Sequence, residues 1–388
     1  MLDTGTSAVN LQNARLTSAV DFTFPNVSIN PGQRVLIVKN AAAFATRYNT
    51  AGLSILGQYS GTLSDSSDDV VLLDASNQII DQVNYSDSEP WPVRADGAGS
   101  TLELISTSGS SNDPANWRAS YEYGGTPGVA GAGPVNRVVV NEVLSHADAL
   151  QLDSIELYNT TTASIDVSGW YLSDSSGNYK SFRIPSGTAI GAGQYLVFTG
   201  QDFDASPPVG GNIPFALSSE GDEVTLVSAD ASGNLLDFED QVTFGAAAGE
   251  SFGRWPNGTG QLYPMKSVTF GAANSGPRIG PIAISEVMYN PVGGDSNLEF
   301  VELVNLTTQT IDLSSNIPGV GDVPWKIEGI GFDFPVGTTI GPRGTLVVVH
   351  FDPNNPDDGF EVDAFRAAYG IGPDVQLVGP YNGLLDNA

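Results

Sequence analysis

The sequence predicts an all-β fold made of tandem repeats, on the basis of three observations. Short apolar and β-branched runs recur along the chain, several of them with the period-2 alternation typical of strands. The 388 residues include 45 Gly and 24 Pro, which separate these runs as turn residues do. Whole segments also recur, and no long amphipathic helix pattern interrupts them. We therefore expect several strand-rich domains in one chain.

The predicted strands are clearest in the stretch 138–198. Residues 154–158 place Ile155 and Leu157 on one face and Glu156 on the other, which is the pattern of a half-buried strand. The strands predicted in this stretch are 138–143, 154–158, 165–167, 170–172, 182–184 and 195–198.

One pattern occurs three times in the chain: Phe-x-(Ile/Phe)-Pro, followed by Ile, then Gly, then an apolar run. The copies begin at Phe22, Phe182 and Phe332. Because Pro ends one run and Gly precedes the next, each copy predicts a strand, a tight turn and a second strand. Phe44 and Tyr48 match Phe365 and Tyr369, and their spacing beside alanines predicts a short helix in both places.

Alignment of the repeats predicts three domains of unequal completeness. Residues 1–130 lack the first strands, residues 135–275 are complete, and residues 280–388 lack the carboxy-terminal strands. Both ends are therefore expected to be cut within a domain, as in a fragment of a longer array. Small residues at 129–136 and 274–281 predict short linkers and a semi-ordered string of domains.

Composition excludes several classes of function. The net charge of −29 repels phosphate backbones, so no nucleic-acid partner is expected. The absence of Cys excludes disulfides and thiolate metal sites, and the two His exclude a His-rich metal site. No apolar run reaches the roughly 18 residues of a membrane-spanning helix, so no membrane span is expected.

Five motifs of the middle segment, taken together, resemble the lamin tail domain family. They are Asn-Glu-Val, Ile-Glu-Leu-Tyr-Asn, Ile-Asp-Val-Ser-Gly-Trp, Phe-Arg-Ile-Pro and Ile-x-x-Gly-x-Tyr-Leu-Val. The segments that carry them are 141–143, 155–159, 165–170, 182–185 and 190–197. The resemblance covers nearly the whole chain. It departs at Ser314-Ser315-Asn316-Ile317, where Trp is absent, and a local insertion is expected there.

This resemblance implies an immunoglobulin-like β-sandwich for each repeat, with the first and last truncated. It also implies the bacterial kind of module, found in large secreted or cell-surface proteins without catalysis of its own. The function expected is that of a structural and interaction array that spaces or docks other domains. Its partner would be a protein or another cell-surface or extracellular matrix component. The alternative is a ligand-binding array for calcium or polysaccharide.

Two groups of acidic residues are candidates for a calcium site. Glu142, Asp153 and Glu156 recur as Glu286, Glu299 and Glu302. Adjacent strands would bring such carboxylates together, and hard cations prefer oxygen ligands. The alternative is that these acids are outward-facing strand residues paired with Lys, Arg or backbone groups, and this interpretation is favoured.

The densest acidic loop contains the second group, Asp352, Asn354, Asp357, Asp358 and Glu361. Pro356 stands at its fifth position, where an EF-hand needs an oxygen ligand, so that motif is excluded. A looser calcium loop and a solvated turn remain, and the turn is favoured. No metal-binding or cofactor-binding residue is assigned, and no cofactor is expected.

The pattern Gly-x-Ser-x-Gly at 249–253 matches the nucleophile elbow of α/β-hydrolases. That motif needs a following helix, whereas Arg254-Trp255-Pro256 begins a turn. The nearest histidines in sequence are His146 and His350, in the strand regions of different repeats, so Ser251 is expected to lie on the outer face of a strand and no catalytic residue is assigned. The five Trp are interpreted as packing residues rather than a carbohydrate-binding strip. They are Trp91, Trp117, Trp170, Trp255 and Trp325.

Overall fold

The computed structural model describes residues 1–145, 152–205, 211–246, 249–317, 319–383 and 385. Strands account for 38% and helices for 10%, which confirms the predicted all-β class. The chain divides into two compact units, Met1–Pro277 and Arg278–Ala388, called here the amino-terminal and carboxy-terminal units. Within the amino-terminal unit, residues 1–130 are called the first repeat and residues 135–275 the middle repeat. The predicted three-domain boundaries stay a prediction.

The first repeat consists of short strands and one helix, α1 (Ala41–Arg47). Its main sheet has the order β7-β3-β2-β8-β9, while β1 pairs with β4, β5 with β6, and β10 with β11. The strands are β1 Val9–Asn10, β2 Arg15–Ser18, β3 Val20–Thr23, β4 Ser28–Ile29, β5 Leu36–Val38, β6 Ile55–Gln58, β7 Ser60–Gly61, β8 Ser67–Leu73, β9 Ile79–Ser86, β10 Leu102–Leu104 and β11 Trp117–Ala119.

The middle repeat is a sandwich of two antiparallel sheets. One sheet has the order β18-β13-β12-β21-β22 and the other β16-β15-β19-β20, and β14 pairs with β17 at one end. The strands are β12 Val138–Leu144, β13 Ser154–Asn159, β14 Ile165–Asp166, β15 Tyr171–Ser173, β16 Phe182–Arg183, β17 Ala189–Ile190, β18 Tyr195–Thr199, β19 Gly221–Ala229, β20 Leu235–Gly245, β21 Phe252–Trp255 and β22 Gln261–Pro264. A short helix, α2 (Gly200–Phe203), follows β18.

The core of the middle repeat lies between these two sheets. Val140, Ile155 and Leu157 from one sheet and Leu172 and Leu226 from the other are fully buried there. All six strands predicted for 138–198 are present, which confirms that part of the sequence analysis. The burial of β13 differs from the prediction, because this strand is buried on both faces rather than on one.

The carboxy-terminal unit repeats the same hairpin and adds a longer helix, α3 (Gly359–Tyr369). Its main sheet has the order β23-β24-β31-β32, and smaller sheets pair β25 with β30, β26 with β27, and β28 with β29. The strands are β23 Ile282–Met288, β24 Phe300–Asn305, β25 Ile311–Asp312, β26 Ser314–Ile317, β27 Gly321–Pro324, β28 Lys326–Ile327, β29 Phe332–Asp333, β30 Thr339–Ile340, β31 Thr345–Val349 and β32 Gln376–Val378.

The predicted insertion in the carboxy-terminal unit is the hairpin of β26 and β27. Trp325 follows it, and its backbone N–H donates to Leu313 while its carbonyl accepts from Phe334, both at 2.9 Å. In the middle repeat Trp170 makes the same two bonds with Val167 and Ile184. Trp325 therefore takes the place of Trp170, displaced along the sequence by the inserted hairpin.

Both predicted short helices are present. The rings of Phe44 and Tyr48 on and beside α1 lie 4.6 Å apart, and those of Phe365 and Tyr369 on α3 lie 4.9 Å apart. The four-residue spacing places each pair on one helix face. Phe365 is fully buried against the strands of its unit.

The expectation of a semi-ordered string is wrong for the linker at 129–136. The backbone N–H of Tyr123 donates to Leu236 and that of Phe238 donates to Tyr121, both at 2.7 Å. Glu122 and Asp237 form an antiparallel β-bridge between these bonds. The first and middle repeats are therefore joined by backbone pairing into one compact unit, which composition alone did not reveal.

Candidate carboxylate site

The site is built on the β12–β13 hairpin of the middle repeat, where Glu142 and Glu156 lie directly opposite each other. The register shifts between Val140 and Glu142, which is a β-bulge at Asn141. The extra residue lets Val140 and Val143 both enter the core while Glu142 lies on the other face. Directly opposed residues share a face of the sheet, so the two carboxylates are neighbours.

Residues 251–274, called here the closing segment, cover the outer face of this hairpin. Strand β21 pairs with β12 at Gly253 opposite Glu142 and at Phe252 opposite Val143. The segment then returns through β22 to Thr269, Gly271 and Asn274. As a result, Glu142 and Glu156 have no exposed surface at all.

Among the described residues, the donors to Glu142 all come from the closing segment. The hydroxyl of Ser251 donates to Oε1 at 2.5 Å. The backbone N–H of Thr269 lies 3.0 Å from Oε1 and 3.1 Å from Oε2, and the Thr269 hydroxyl donates to Oε2 at 2.9 Å. A buried carboxylate without a cation needs such bonds to offset its desolvation.

Glu156 is held by one donor from its own hairpin and one from the closing segment. Asn141 Nδ2 donates to Oε1 at 2.8 Å, and the backbone N–H of Gly271 donates to Oε2 at 2.5 Å. Burial raises the pKa of Glu156 to about 7, against the lowering effect of these two bonds. The neighbouring charge of Glu142 also raises this pKa.

Three asparagines complete the network. Asn141 Oδ1 accepts from the backbone N–H of Gly258 at 3.0 Å, and its Nδ2 lies 3.2 Å from Asn274 Oδ1 and 3.3 Å from Asn257 Oδ1. Asn274 Nδ2 donates to the carbonyls of Asn141 and Arg254, both at 3.0 Å. The side chain of the bulge residue, Asn141, thus contacts Asn257, Gly258 and Asn274 of the closing segment.

The structure corrects two expectations about this site. Glu142 and Glu156 are buried instead of outward-facing, because the closing segment covers the face that the strand pattern left to solvent. Ser251, expected on an outer face, is 1% exposed and donates to Glu142. The strand pattern could not reveal this cover, since it comes from residues more than 90 positions away. Ser251 precedes β21 and a turn, without the helix that a nucleophile elbow requires.

The remaining acids of the first group are placed elsewhere. Asp153 Oδ2 accepts from the backbone N–H of Leu217 at 3.0 Å. Glu299 is buried and accepts from the hydroxyl of Tyr381 at 3.1 Å, and burial together with the Glu299 charge raises the pKa of this tyrosine. Glu286 and Glu302 again lie opposite each other, but Glu286 is exposed and Glu302 half-buried.

The acidic loop at 352–361 forms a turn that leads into α3. Asp358 Oδ2 accepts from the backbone N–H of Asp352 at 3.0 Å, and Asn355 Oδ1 accepts from that of Asp357 at 3.1 Å. In the part of the chain that the structure describes, no group of three or more His, Asp or Glu side chains is arranged to hold a metal ion. Calcium binding therefore stays the untested alternative to the favoured solvated turn.

The other sequence candidates do not converge on a site. His146 lies outside the described residues, and the ring of His350 packs 5.1 Å from that of Tyr381. Trp91 and Trp170 are buried, while Trp255 is 45% exposed.

Sequence reasoning missed the donors Thr269 and Gly271. A signal for them was present, because Thr126-Pro127-Gly128 in the first repeat matches Thr269-Phe270-Gly271 after the corresponding hairpin. In the first repeat the Thr126 hydroxyl donates to Glu103 at 3.3 Å. In both repeats the threonine hydroxyl thus donates to a carboxylate, although Glu103 lies on β10 and Glu142 on β12.

Comparison with known proteins gives one positive result. The family model described as Lamin Tail Domain matches residues 132–245 and 276–376, which together are more than half of the chain. Searches of curated proteins and of solved structures found no significant match. Within the described residues, no helix has both the length and the apolar character needed to cross a bilayer.

Proposed function

The chain belongs to the lamin tail domain family, and on that premise we propose that it is a non-catalytic array that spaces and docks other modules. The family consists of immunoglobulin-like interaction domains that are typically not enzymes. The observation that carries the proposal is the junction between the first and middle repeats, because a spacer needs a fixed geometry between its modules.

Aromatic packing reinforces the backbone pairing at this junction. Tyr123 of the first repeat lies 5.9 Å from Phe238 and 6.4 Å from Tyr179, both in the middle repeat, measured between ring centroids. Phe238 and Tyr179 are themselves 5.1 Å apart at 79°. Such pairs contribute about 0.5–1.5 kcal/mol each beyond their buried area.

Arg94 of the first repeat binds both repeats. Its guanidinium lies 4.3 Å from the ring centroid of Phe238, and its Nη1 donates to Gln241 Oε1 at 2.9 Å. On its own repeat it donates to Ser100 and to the carbonyl of Ser120. In the other direction, the hydroxyl of Tyr179 in the middle repeat donates to the carbonyl of Ala98 in the first repeat at 2.9 Å. These contacts favour a fixed orientation over a flexible linker.

We place this array on the outside of a bacterial cell, secreted or attached to the surface, with a protein or matrix component as partner. The support is indirect and chemical. The charge of −29 favours solubility and repels anionic polymers, and a chain without Cys needs no oxidative folding. Protease treatment of intact source cells tests the location, since an external array would be degraded while a cytoplasmic marker survives.

The junction is tested by replacing Phe238, which is 1% exposed, with Ala. We expect a broader distribution of distances between labels on the two repeats and faster proteolysis at 129–136. The matched control is Phe360→Ala, because Phe360 is 81% exposed in the carboxy-terminal unit. Distances and cleavage rates that stay the same in Phe238→Ala would contradict a spacer role for this junction.

A further inference from the structure

A pocket of about 530 Å³ lies where the first and middle repeats meet. This volume is within the range of roughly 300–1,000 Å³ that is typical of small-molecule sites in proteins. Arg94 and Tyr121 of the first repeat line the pocket, and strands β20, β21 and β22 of the middle repeat contribute most of the other lining residues. All of these residues belong to the amino-terminal unit.

The charges on the wall of this pocket do not balance. Among the described residues that line it, the only carboxylate is Asp240. Its Oδ1 and Oδ2 accept from Nη2 of Arg254 at 2.9 and 2.8 Å, and Oδ2 also accepts from the backbone N–H of Val140 at 2.8 Å. Asp240 therefore neutralises Arg254, and the positive charge of Arg94 is left without a balancing carboxylate in the pocket.

Arg94 forms no ion pair with any described residue. Of its five N–H groups, Nε donates to Ser100 Oγ at 2.8 Å and one on Nη1 donates to Gln241 Oε1 at 2.9 Å. One on Nη2 donates to the carbonyl of Ser120 at 3.1 Å, so one N–H on each terminal nitrogen remains. Gln241 is also the link to Glu223, because its Nε2 donates to Glu223 Oε2 at 3.3 Å. Burial lowers the pKa of Arg94, since it disfavours the charged form.

The rest of the wall offers groups that bind hydroxyls. Hydroxyl and side-chain amide groups both donate and accept hydrogen bonds. Five side chains of these kinds line the pocket and make no hydrogen bond with any described residue: Tyr121, Asn136, Thr243, Thr259 and Gln261. The pocket therefore combines one unbalanced guanidinium with several open polar groups.

We propose that this pocket binds a small hydroxylated monocarboxylate, the chemistry of a hexuronic acid. Its carboxylate would accept the two remaining N–H groups of Arg94, because guanidinium and carboxylate form charge-assisted hydrogen bonds in pairs. Its hydroxyls would bind the open amide and hydroxyl groups of the wall. A single negative charge matches the excess positive charge of the pocket, whereas the net charge of −29 would repel a long polyanion.

This inference goes beyond the spacer role. Arg94 and Gln261 belong to different repeats, so the complete pocket requires the repeats to be docked, and a bound ligand would stabilise their junction. The spacer role does not require the ligand, because backbone pairing and the packing of Tyr123 on Phe238 join the repeats without it. A failure to bind hexuronate would therefore leave the spacer role unaffected.

The test is isothermal titration calorimetry of the full-length chain with D-glucuronate and D-galacturonate, and with D-glucose as the uncharged counterpart. We expect saturable binding of one hexuronate per chain, and binding of glucose at least about tenfold weaker. Arg94→Gln should weaken hexuronate binding by a similar factor. Arg183→Gln is the control, because Arg183 is an exposed arginine of the middle repeat outside the pocket.

A second pair of variants leaves the contacts of Arg94 in place. Thr259 is exposed on the pocket wall, so Thr259→Glu adds a negative charge there, and Thr259→Gln adds a side chain of similar size without the charge. Thr259→Glu should bind hexuronate more weakly than Thr259→Gln. Three results would overturn the proposal: no binding of either hexuronate at millimolar concentration, binding of glucose or inorganic sulfate as tight as that of the hexuronates, and equal binding by the two Thr259 variants.

Discussion

Glu142 and Glu156 lie directly opposite each other on β12 and β13, and neither side chain is exposed. Two carboxylates in this arrangement are stable because donors from residues 251–274 bind both of them. The hairpin near the start of the middle repeat is thus fastened to the segment near its end. The segment that buries the two carboxylates thus also joins the beginning of the middle repeat to its end.

Stability of the middle repeat should fall as pH rises. Burial raises the pKa of Glu156 from 4.5 to about 7, so the folded state holds this proton more tightly than the unfolded state. Its contribution is therefore fully favourable below pH 4.5 and is lost between pH 4.5 and about 7. Urea unfolding over this pH range should show a decrease in the free energy of unfolding of the wild type. The Glu156→Gln variant should not show this decrease. Parallel curves for the two proteins would contradict the assignment.

Removing the donor of the shortest hydrogen bond to Glu142, the Ser251 hydroxyl, should destabilise the middle repeat. Ser251→Ala leaves a buried carboxylate oxygen without its hydroxyl partner, which costs about 1–3 kcal/mol of unfolding free energy. Ser267→Ala is the matched control, because Ser267 is exposed in the same segment, and its effect should stay within about 0.5 kcal/mol. Equal effects of the two substitutions, measured by urea unfolding, would argue against a closing role for Ser251.

Calcium should leave the melting temperature of the chain unchanged. The carboxylate oxygens of Glu142 and Glu156 already accept hydrogen bonds from Ser251, Thr269 and Gly271, whereas calcium requires six to eight free oxygen ligands. Differential scanning calorimetry with millimolar calcium and with chelator checks this directly. A rise in melting temperature that chelator reverses would revive the calcium-binding alternative.

The β26–β27 hairpin should be dispensable for folding of the carboxy-terminal unit. Replacement of residues 314–324 by Ser-Gly restores the spacing of Val167 to Trp170 between Leu313 and Trp325. None of the residues in strands β26 and β27 is buried, so we expect the unit to keep a cooperative melting transition. Loss of that transition would mean that the hairpin packs as part of the core, with Trp325 dependent on its bond to Ser315.

Local sequence was sufficient to predict six strands of the middle repeat, the helices α1 and α3, and the insertion. Strand predictions such as 154–158 rest on the alternation of Ile155, Glu156 and Leu157, and the repeats supplied the register of one copy from another. These features depend on neighbouring residues and on turn chemistry at Gly and Pro, which a linear pattern contains.

The sequence by itself therefore determined that this is an all-β chain of repeated domains in the lamin tail domain family. Only the tertiary structure decided which segments cover these strands and which side chains they bury. Glu142 is buried because Ser251 and Thr269, more than 100 residues away, cover it, whereas the equivalent Glu286 is exposed. Tyr123 of the first repeat packs against Phe238 of the middle repeat, although the small residues of the linker between them predict only a semi-ordered string of domains. The physical reason is that burial depends on contacts between segments distant in sequence, and a strand pattern specifies only which side chains share a face.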